Sequence, residues 1–178
     1  MKINYKKTLK FVTLLITALL IATVSAEVYV YMYIDGTVTI GTEQLVWIKG
    51  EDAPTDATIS GGTVTMDLDV QPGAIQNFTE CLFLNNKDIA DHNLTITVTT
   101  AASTGTFDSF KIYIYKNSTG PFNEYVDTLD VTVLNDQYST YTGNTPLATG
   151  GYYRLTFEVK AKTGTTGTHD FDIKVTYE

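Results

Sequence analysis

Alternation of apolar and polar residues with a period of two is the feature that most constrains how this chain can fold. Such alternation recurs along residues 28–177, in short runs rich in Thr, Val, Ile and Tyr, whereas helical spacing does not. Successive side chains of a β-strand project to opposite faces, so this period is typical of half-buried strands. The clearest run alternates four apolar residues with three tyrosines: Val28, Val30, Met32 and Ile34 against Tyr29, Tyr31 and Tyr33. The sequence therefore predicts an all-β fold.

Clusters of Gly, Pro, Asn and Asp separate the runs, as in Asp35-Gly36, Pro72-Gly73 and Gly150-Gly151. Such residues favour turns, so the chain predicts about nine or ten short strands. After the first run they are residues 37–40, 44–49, 63–70, 77–84, 94–100, 110–116, 125–134, 152–162 and 171–177. Residues 122–129 also allow one or two helical turns. The pattern is typical of an antiparallel β-sandwich or jelly roll, with residues 36–178 as one domain.

Residues 1–26 have the layout of a secretory signal peptide. Lysines are concentrated in the first ten residues, an uncharged apolar run follows at residues 11–24, and Val24-Ser25-Ala26 fits a small-x-small cleavage site. The run has about 14 residues, fewer than the roughly 20 that a membrane-spanning helix needs, so cleavage is favoured over a retained anchor. We therefore expect a mature chain that begins at Glu27, contacts the membrane only transiently during export, and is extracellular or on the cell surface.

Charge and composition exclude several classes of function. The chain has 12 Lys and Arg against 20 Asp and Glu, and four of the lysines precede residue 11, so the remainder carries 8 basic and 20 acidic residues, a net charge of −12. A body of that sign repels a phosphate backbone, which excludes nucleic-acid binding. One cysteine excludes an internal disulfide framework, and two separated histidines leave little for a zinc centre. Neither a His-Glu-x-x-His motif nor a Ser/His/Asp arrangement is visible, so no enzymatic activity is expected.

Two pairs of aspartates are candidates for half of a calcium site. Asp67 and Asp69, like Asp170 and Asp172, stand two apart on predicted strands, which places both members of a pair on one face. Carboxylates are preferred ligands of Ca²⁺. The chain has no Asp-x-Asp-x-Asp-Gly loop, however, so solvated strand faces are favoured. No other cofactor is indicated.

Three further features are expected to be structural. Asp88, Asp91 and His92 fall in a predicted turn, where polar residues are common. Cys81 lies within a predicted strand, where a cysteine usually acts as a small buried hydrophobe. Trp47 is expected to pack in the core rather than to stack on a sugar.

Three Asn-x-Thr sequons, at Asn77, Asn93 and Asn117, are candidates for N-glycosylation in an exported chain. Asn117 is the best of them because a hairpin turn is predicted there.

Residues 27–35 are the most informative segment for function. A strand that begins at the cleavage site is tied to its domain at one end only. It can pair within its own sandwich or insert into the next copy, where its four apolar residues fill the acceptor groove. Its three tyrosines then face the opposite side and are candidates for a second interface. Head-to-tail contacts of this kind do not close, so they produce filaments.

Several segments fit one known family. They are the signal peptide with a strand directly after it, the turn Val70-Gln71-Pro72-Gly73 before residues 78–86, the alternating run 93–98, and residues 147–155 around Gly150-Gly151. Together they resemble the TasA/camelysin-like extracellular fibre proteins, especially the archaeal bundling pilus and cannula subunits. The resemblance covers about half the chain and implies a jelly-roll subunit that polymerises by donor-strand complementation. The charged residues 88–92 depart from the bacterial members, and no calcium ligand set of the relatives can be mapped onto the chain.

The function expected from the sequence is that of a structural subunit of a pilus-like or biofilm-matrix-like filament, with other copies of itself as head-to-tail partners. The alternative is a secreted or cell-surface carbohydrate-binding module. Tyrosine rows such as Tyr113 and Tyr115, with Trp47, would then stack on sugar rings. A hydrolytic activity, which has been ascribed to camelysins, is not expected because no catalytic arrangement is visible.

Overall fold

The computed structural model describes residues 32–40, 45–60, 62–117, 124–133, 139–143 and 146–177. These residues form eleven β-strands and no helix, which confirms the all-β prediction. The strands are β1 (Met32–Ile40), β2 (Leu45–Lys49), β3 (Thr58–Ser60), β4 (Thr63–Val70), β5 (Ile75–Asn86), β6 (Leu94–Thr100), β7 (Phe107–Asn117), β8 (Glu124–Asp130), β9 (Thr140–Thr142), β10 (Tyr152–Ala161) and β11 (Gly167–Tyr177). The predicted signal peptide lies outside the described residues. Within them, no helix is long and apolar enough to cross a membrane.

The strands form a six-stranded and a five-stranded sheet around a common core. The orders are β3-β4-β1-β11-β6-β9 and β2-β5-β10-β7-β8. Alternate residues of the long strands are buried, as the period of two requires. Phe171 of the first sheet packs edge-on against Phe110 and Phe157 of the second, with ring centroids 4.9 Å and 6.1 Å apart. The architecture is therefore a β-sandwich.

The first strand departs from the sequence-based prediction in two ways. Asp35-Gly36 is not a turn, because β1 runs unbroken through it. The sheets are also not purely antiparallel, because β1 pairs in parallel with β11. Gly36 explains the first difference: a Cβ atom built there would lie 2.3 Å from two carbons of the Phe171 ring. The glycine therefore makes room for a core phenylalanine and does not reverse the chain.

Two short edge strands, β3 and β9, were not predicted, since three-residue strands carry almost no periodic signal. The helical alternative at residues 122–129 is wrong where the structure describes that stretch. Glu124–Asp130 forms β8, which pairs with β7 in antiparallel register.

Candidate functional site

The first described strand occupies a central position in its sheet. Along one side β1 pairs in parallel with β11, from Met32 opposite Gly167 to Ile40 opposite Val175. Along the other side it pairs in antiparallel register with β4, from Met32 opposite Val70 to Thr39 opposite Thr63. Without β1, the sheet would separate into a β3-β4 piece and a β11-β6-β9 piece. A gap one strand wide would run between them.

The buried residues of the two strands that border this gap are apolar. Seven buried residues of the two flanking strands lie along it: Val64, Met66, Leu68 and Val70 of β4, and Phe171, Ile173 and Val175 of β11. On β1 itself, Gly36 and Val38 are buried, and Val38 is 0% exposed. The gap therefore has the character of a hydrophobic groove that one strand fills.

The residues predicted for the donor strand fall at or beyond the start of β1. Met32, Tyr33 and Ile34 belong to β1, where their backbone is paired on both sides. Val28, Tyr29, Val30 and Tyr31 lie outside the described residues. The assignment of the four apolar residues to the groove and of the three tyrosines to a second interface therefore stays a prediction.

The sheet register places one aspartate of each pair level with Asp35, which the sequence alone could not show. Asp35 of β1 is paired with Asp67 of β4 on one side and with Asp170 of β11 on the other. Asp69 is opposite Tyr33 and Asp172 is opposite Thr37, so these two lie in opposite directions from Asp35. Thr100 donates a 2.6 Å hydrogen bond from its hydroxyl to Asp172 Oδ2. Among the described residues, no group of three or more His, Cys, Asp or Glu side chains could hold a metal ion.

Replacement of Asp170 by Asn is expected to raise the melting temperature of the protein and to weaken its dependence on salt. Asp67 and Asp170 are two strands apart, about 9.5 Å. Like charges across a sheet are destabilising, by about 0.2 to 1 kcal/mol for close pairs, and the acidic body adds to the repulsion. Thermal unfolding at low and high NaCl measures the effect. Asp108→Asn is the matched control and should lower stability slightly, because Asp108 lies 2.9 Å from Lys160 Nζ. A decrease for Asp170→Asn would contradict the argument.

The outer face of the five-stranded sheet carries the Tyr113 and Tyr115 row. The Arg154 guanidinium lies 4.5 Å from the centre of the Tyr115 ring, and Tyr125 meets that ring edge-on at 5.9 Å. Arg154 and Tyr125 therefore already lie against the Tyr115 ring, on which a sugar would have to stack. Trp47 is 3% exposed and donates its indole N–H to the Gly62 carbonyl, which confirms it as a core residue.

Asp88 and His92 come together as a structural pair. Their side chains meet at 2.7 Å through Asp88 Oδ2 and His92 Nε2, and this hydrogen bond holds the pKa of the Asp88 carboxyl below its usual range. The backbone of His92 exchanges two hydrogen bonds with Leu147, and its ring packs edge-on against Tyr177 at 4.6 Å. The pair therefore fixes the loop between β5 and β6 to the segment before β10.

Cys81 is fully buried, as predicted, with its sulfur 3.8 Å from that of Met66. Burial raises the pKa of the thiol to about 12, and the Asp52 carboxylate adds to this. The thiol is therefore protonated at neutral pH and is not a nucleophile.

The three sequons differ in accessibility. Asn77, on β5, and Asn93, just before β6, are exposed, whereas Asn117 is half-buried as the last residue of β7. The residues after Asn117, where the hairpin turn was predicted, lie outside the described part of the chain. Exposure therefore favours glycosylation at Asn77 and Asn93 over glycosylation at Asn117, the best candidate from the sequence.

Comparison of the sequence with protein-family models and with curated proteins finds no match. The position of β1 at the centre of its sheet is the feature of this fold that bears most directly on function.

Proposed function

We propose that the protein is a structural subunit of an extracellular filament in which each copy donates β1 to the next. One observation carries the proposal. The strand lies at the centre of a sheet, yet residues 41–44 alone connect it to the strands that follow. An identical strand from another copy would make the same backbone hydrogen bonds and fill the same groove. Export through the signal at residues 1–26 belongs to the same proposal.

The donated element reaches further than the sequence suggested. Because β1 continues through Asp35-Gly36 to Ile40, we propose that the donated strand extends to Ile40 rather than ending at Asp35. Residues 41–44 would then be the link that crosses from one subunit to the next.

The same geometry predicts slow exchange between folded subunits. Withdrawal of β1 breaks the ladders to both β4 and β11 and exposes the groove to water. Insertion into another copy restores equivalent contacts, so the two arrangements differ little in contact energy but are separated by a high barrier. Assembly is therefore expected when newly exported chains meet before β1 has closed on its own sandwich.

Disulfide trapping tests whether β1 is donated between copies. Thr37 of β1 is opposite Thr65 of β4, and neither side chain is fully buried. In a Cys81→Ala background, one chain carries Thr37→Cys and a second, differently tagged chain carries Thr65→Cys. Filaments grown from the mixture are expected to yield a mixed disulfide on oxidation, whereas closed monomers are not.

Thr97 and Thr140 supply the matched control. They are opposite each other on β6 and β9, which the proposal keeps within one copy. Chains carrying Thr97→Cys and Thr140→Cys separately should not cross-link in the same filaments. Filaments without the Thr37 to Thr65 disulfide would show that β1 stays in its own sandwich.

The carbohydrate-binding alternative no longer includes Trp47 as a platform. Its support comes instead from a polar pocket between β8 and β9, the end strands of the two sheets.

A further inference from the structure

A pocket of about 310 Å³ opens between β8 and β9, the two strands that end their respective sheets on the same side of the sandwich. Val126 and seven polar side chains line it: Lys116, Glu124, Tyr125, Asp127, Tyr141, Thr142 and Tyr153. Ligand pockets in proteins start at about 300 Å³, so there is room for one small ring.

The polar lining is unusual because most of it lies on the inward face of the sheets. On β7 the inward positions Phe110, Ile112 and Ile114 are fully buried and apolar, but the next one is Lys116, which is 6% exposed. Tyr153 takes the equivalent place on β10 and is fully buried. Lysine side chains are rarely buried, so a lysine that is 6% exposed beside an open pocket calls for an explanation.

The lining groups retain hydrogen-bonding capacity. Lys116 Nζ donates a 3.0 Å hydrogen bond to the Pro146 carbonyl, its one such bond among the described residues, whereas an ammonium has three N–H donors. The hydroxyls of Tyr141 and Tyr153 lie 3.1 Å apart. One of them donates to the other, and the second O–H has no acceptor among the described residues, so it can donate to a ligand.

The protonation states of these groups suit the recognition of a neutral polar ligand. Burial raises the pKa of both Tyr141 and Tyr153, so both hydroxyls stay protonated at neutral pH. Asp127 Oδ1 accepts the Thr128 backbone N–H at 2.8 Å, and no described residue donates to its other carboxylate oxygen. Glu124 is opposite Lys116 across the β7 to β8 pair and is exposed. The pocket thus offers donors and acceptors side by side.

We propose that this pocket binds one saccharide unit and selects against acidic sugars. Each sugar hydroxyl both donates and accepts, which matches a lining that mixes an ammonium, hydroxyls and carboxylates. The lining holds two carboxylates and one ammonium, on a body that is itself acidic. A neutral sugar therefore fits, an amino sugar gains an attraction, and a uronate is repelled. The proposal depends on this pocket alone and not on filament formation.

Titration of the ¹⁵N-labelled protein with glucosamine, glucose and glucuronate, followed by NMR, tests the proposal. Saturable shifts are expected at the residues lining the pocket, with glucosamine binding at least as tightly as glucose. Glucuronate is expected to bind about tenfold more weakly, because its carboxylate meets like charges. The absence of pocket-centred shifts with all three sugars would overturn the proposal, and so would equal or tighter binding of glucuronate.

Variants identify the groups responsible. Lys116→Met removes the ammonium but keeps a long apolar stem, and it is expected to weaken glucose binding by about tenfold. Lys111→Met is the matched control, since Lys111 lies on the opposite face of the same strand, and it should bind as the unmodified protein does. Equal losses in the two variants would overturn the assignment. If Lys116→Met does not fold, Tyr141→Phe removes one lining hydroxyl, and unchanged glucose binding in that variant would contradict the site.

Discussion

A chain that lacks residues 1–40 is expected to form no filaments and to be unstable alone, and a peptide of residues 32–40 is expected to restore it. The truncated chain retains β4 and β11 but exposes the groove between them, including the fully buried Phe171. The peptide supplies both ladders and the side chain of Val38, so it should bind as β1 does in the intact fold. Thermal unfolding with increasing peptide measures the rescue, because a ligand of the native state alone raises its stability.

A peptide with Val38→Asp is the matched control. Val38 is 0% exposed, and the burial of its side chain contributes about 1.5 to 3 kcal/mol, to which an unpaired buried carboxylate adds a further penalty. We expect this peptide to bind at least about 100-fold more weakly. Electron microscopy of the truncated chain can contradict the proposal, because filaments formed without residues 1–40 would show that β1 is not the donated strand.

The strands were predictable because their period of two follows directly from the pleat. Residues 63–70 and 94–100 were predicted with the bounds that β4 and β6 have. Pairing was not predictable, because nothing local in the sequence says that β1 lies in parallel beside β11. The approach of Asp35 to Asp67 and Asp170 follows from that pairing, so it was hidden as well.

Gly36 and Lys116 show why local signals mislead where a distant residue sets the requirement. Asp-Gly is a strong turn signal, but here the glycine accommodates Phe171, which belongs to the last strand. Lys116 follows an alternating run and resembles an ordinary polar strand end. Only the three-dimensional fold shows that it points inward at an open edge.

Gly36→Ala is expected to destabilise the protein by about 1 to 3 kcal/mol or more, the usual cost of an extra group in a well-packed core. The new Cβ would lie 2.3 Å from the Phe171 ring, which cannot move freely because Phe110 and Phe157 pack against it. Chemical unfolding measures the loss. Gly105→Ala is the control, since its Cβ would meet only the Ser103 hydroxyl, at 3.3 Å, and it should change stability little.

The contact between residues 36 and 171 also distinguishes donation within a chain from donation between chains. Phe171→Leu shortens the side chain that the methyl group of Gly36→Ala would meet, so the double variant should lose less stability than the two single losses added together.

A mixture of the two single variants makes the distinction. In this mixture, each closed monomer keeps the one substitution that destabilises it. A head-to-tail filament in which the two variants alternate instead has two kinds of junction. In one, the substituted position 36 meets the substituted position 171. In the other, Gly36 meets Phe171, as in the unmodified protein. Under donation between chains, the mixture should therefore assemble faster than either variant alone. Assembly no faster than that of the better single variant would place β1 in its own sandwich.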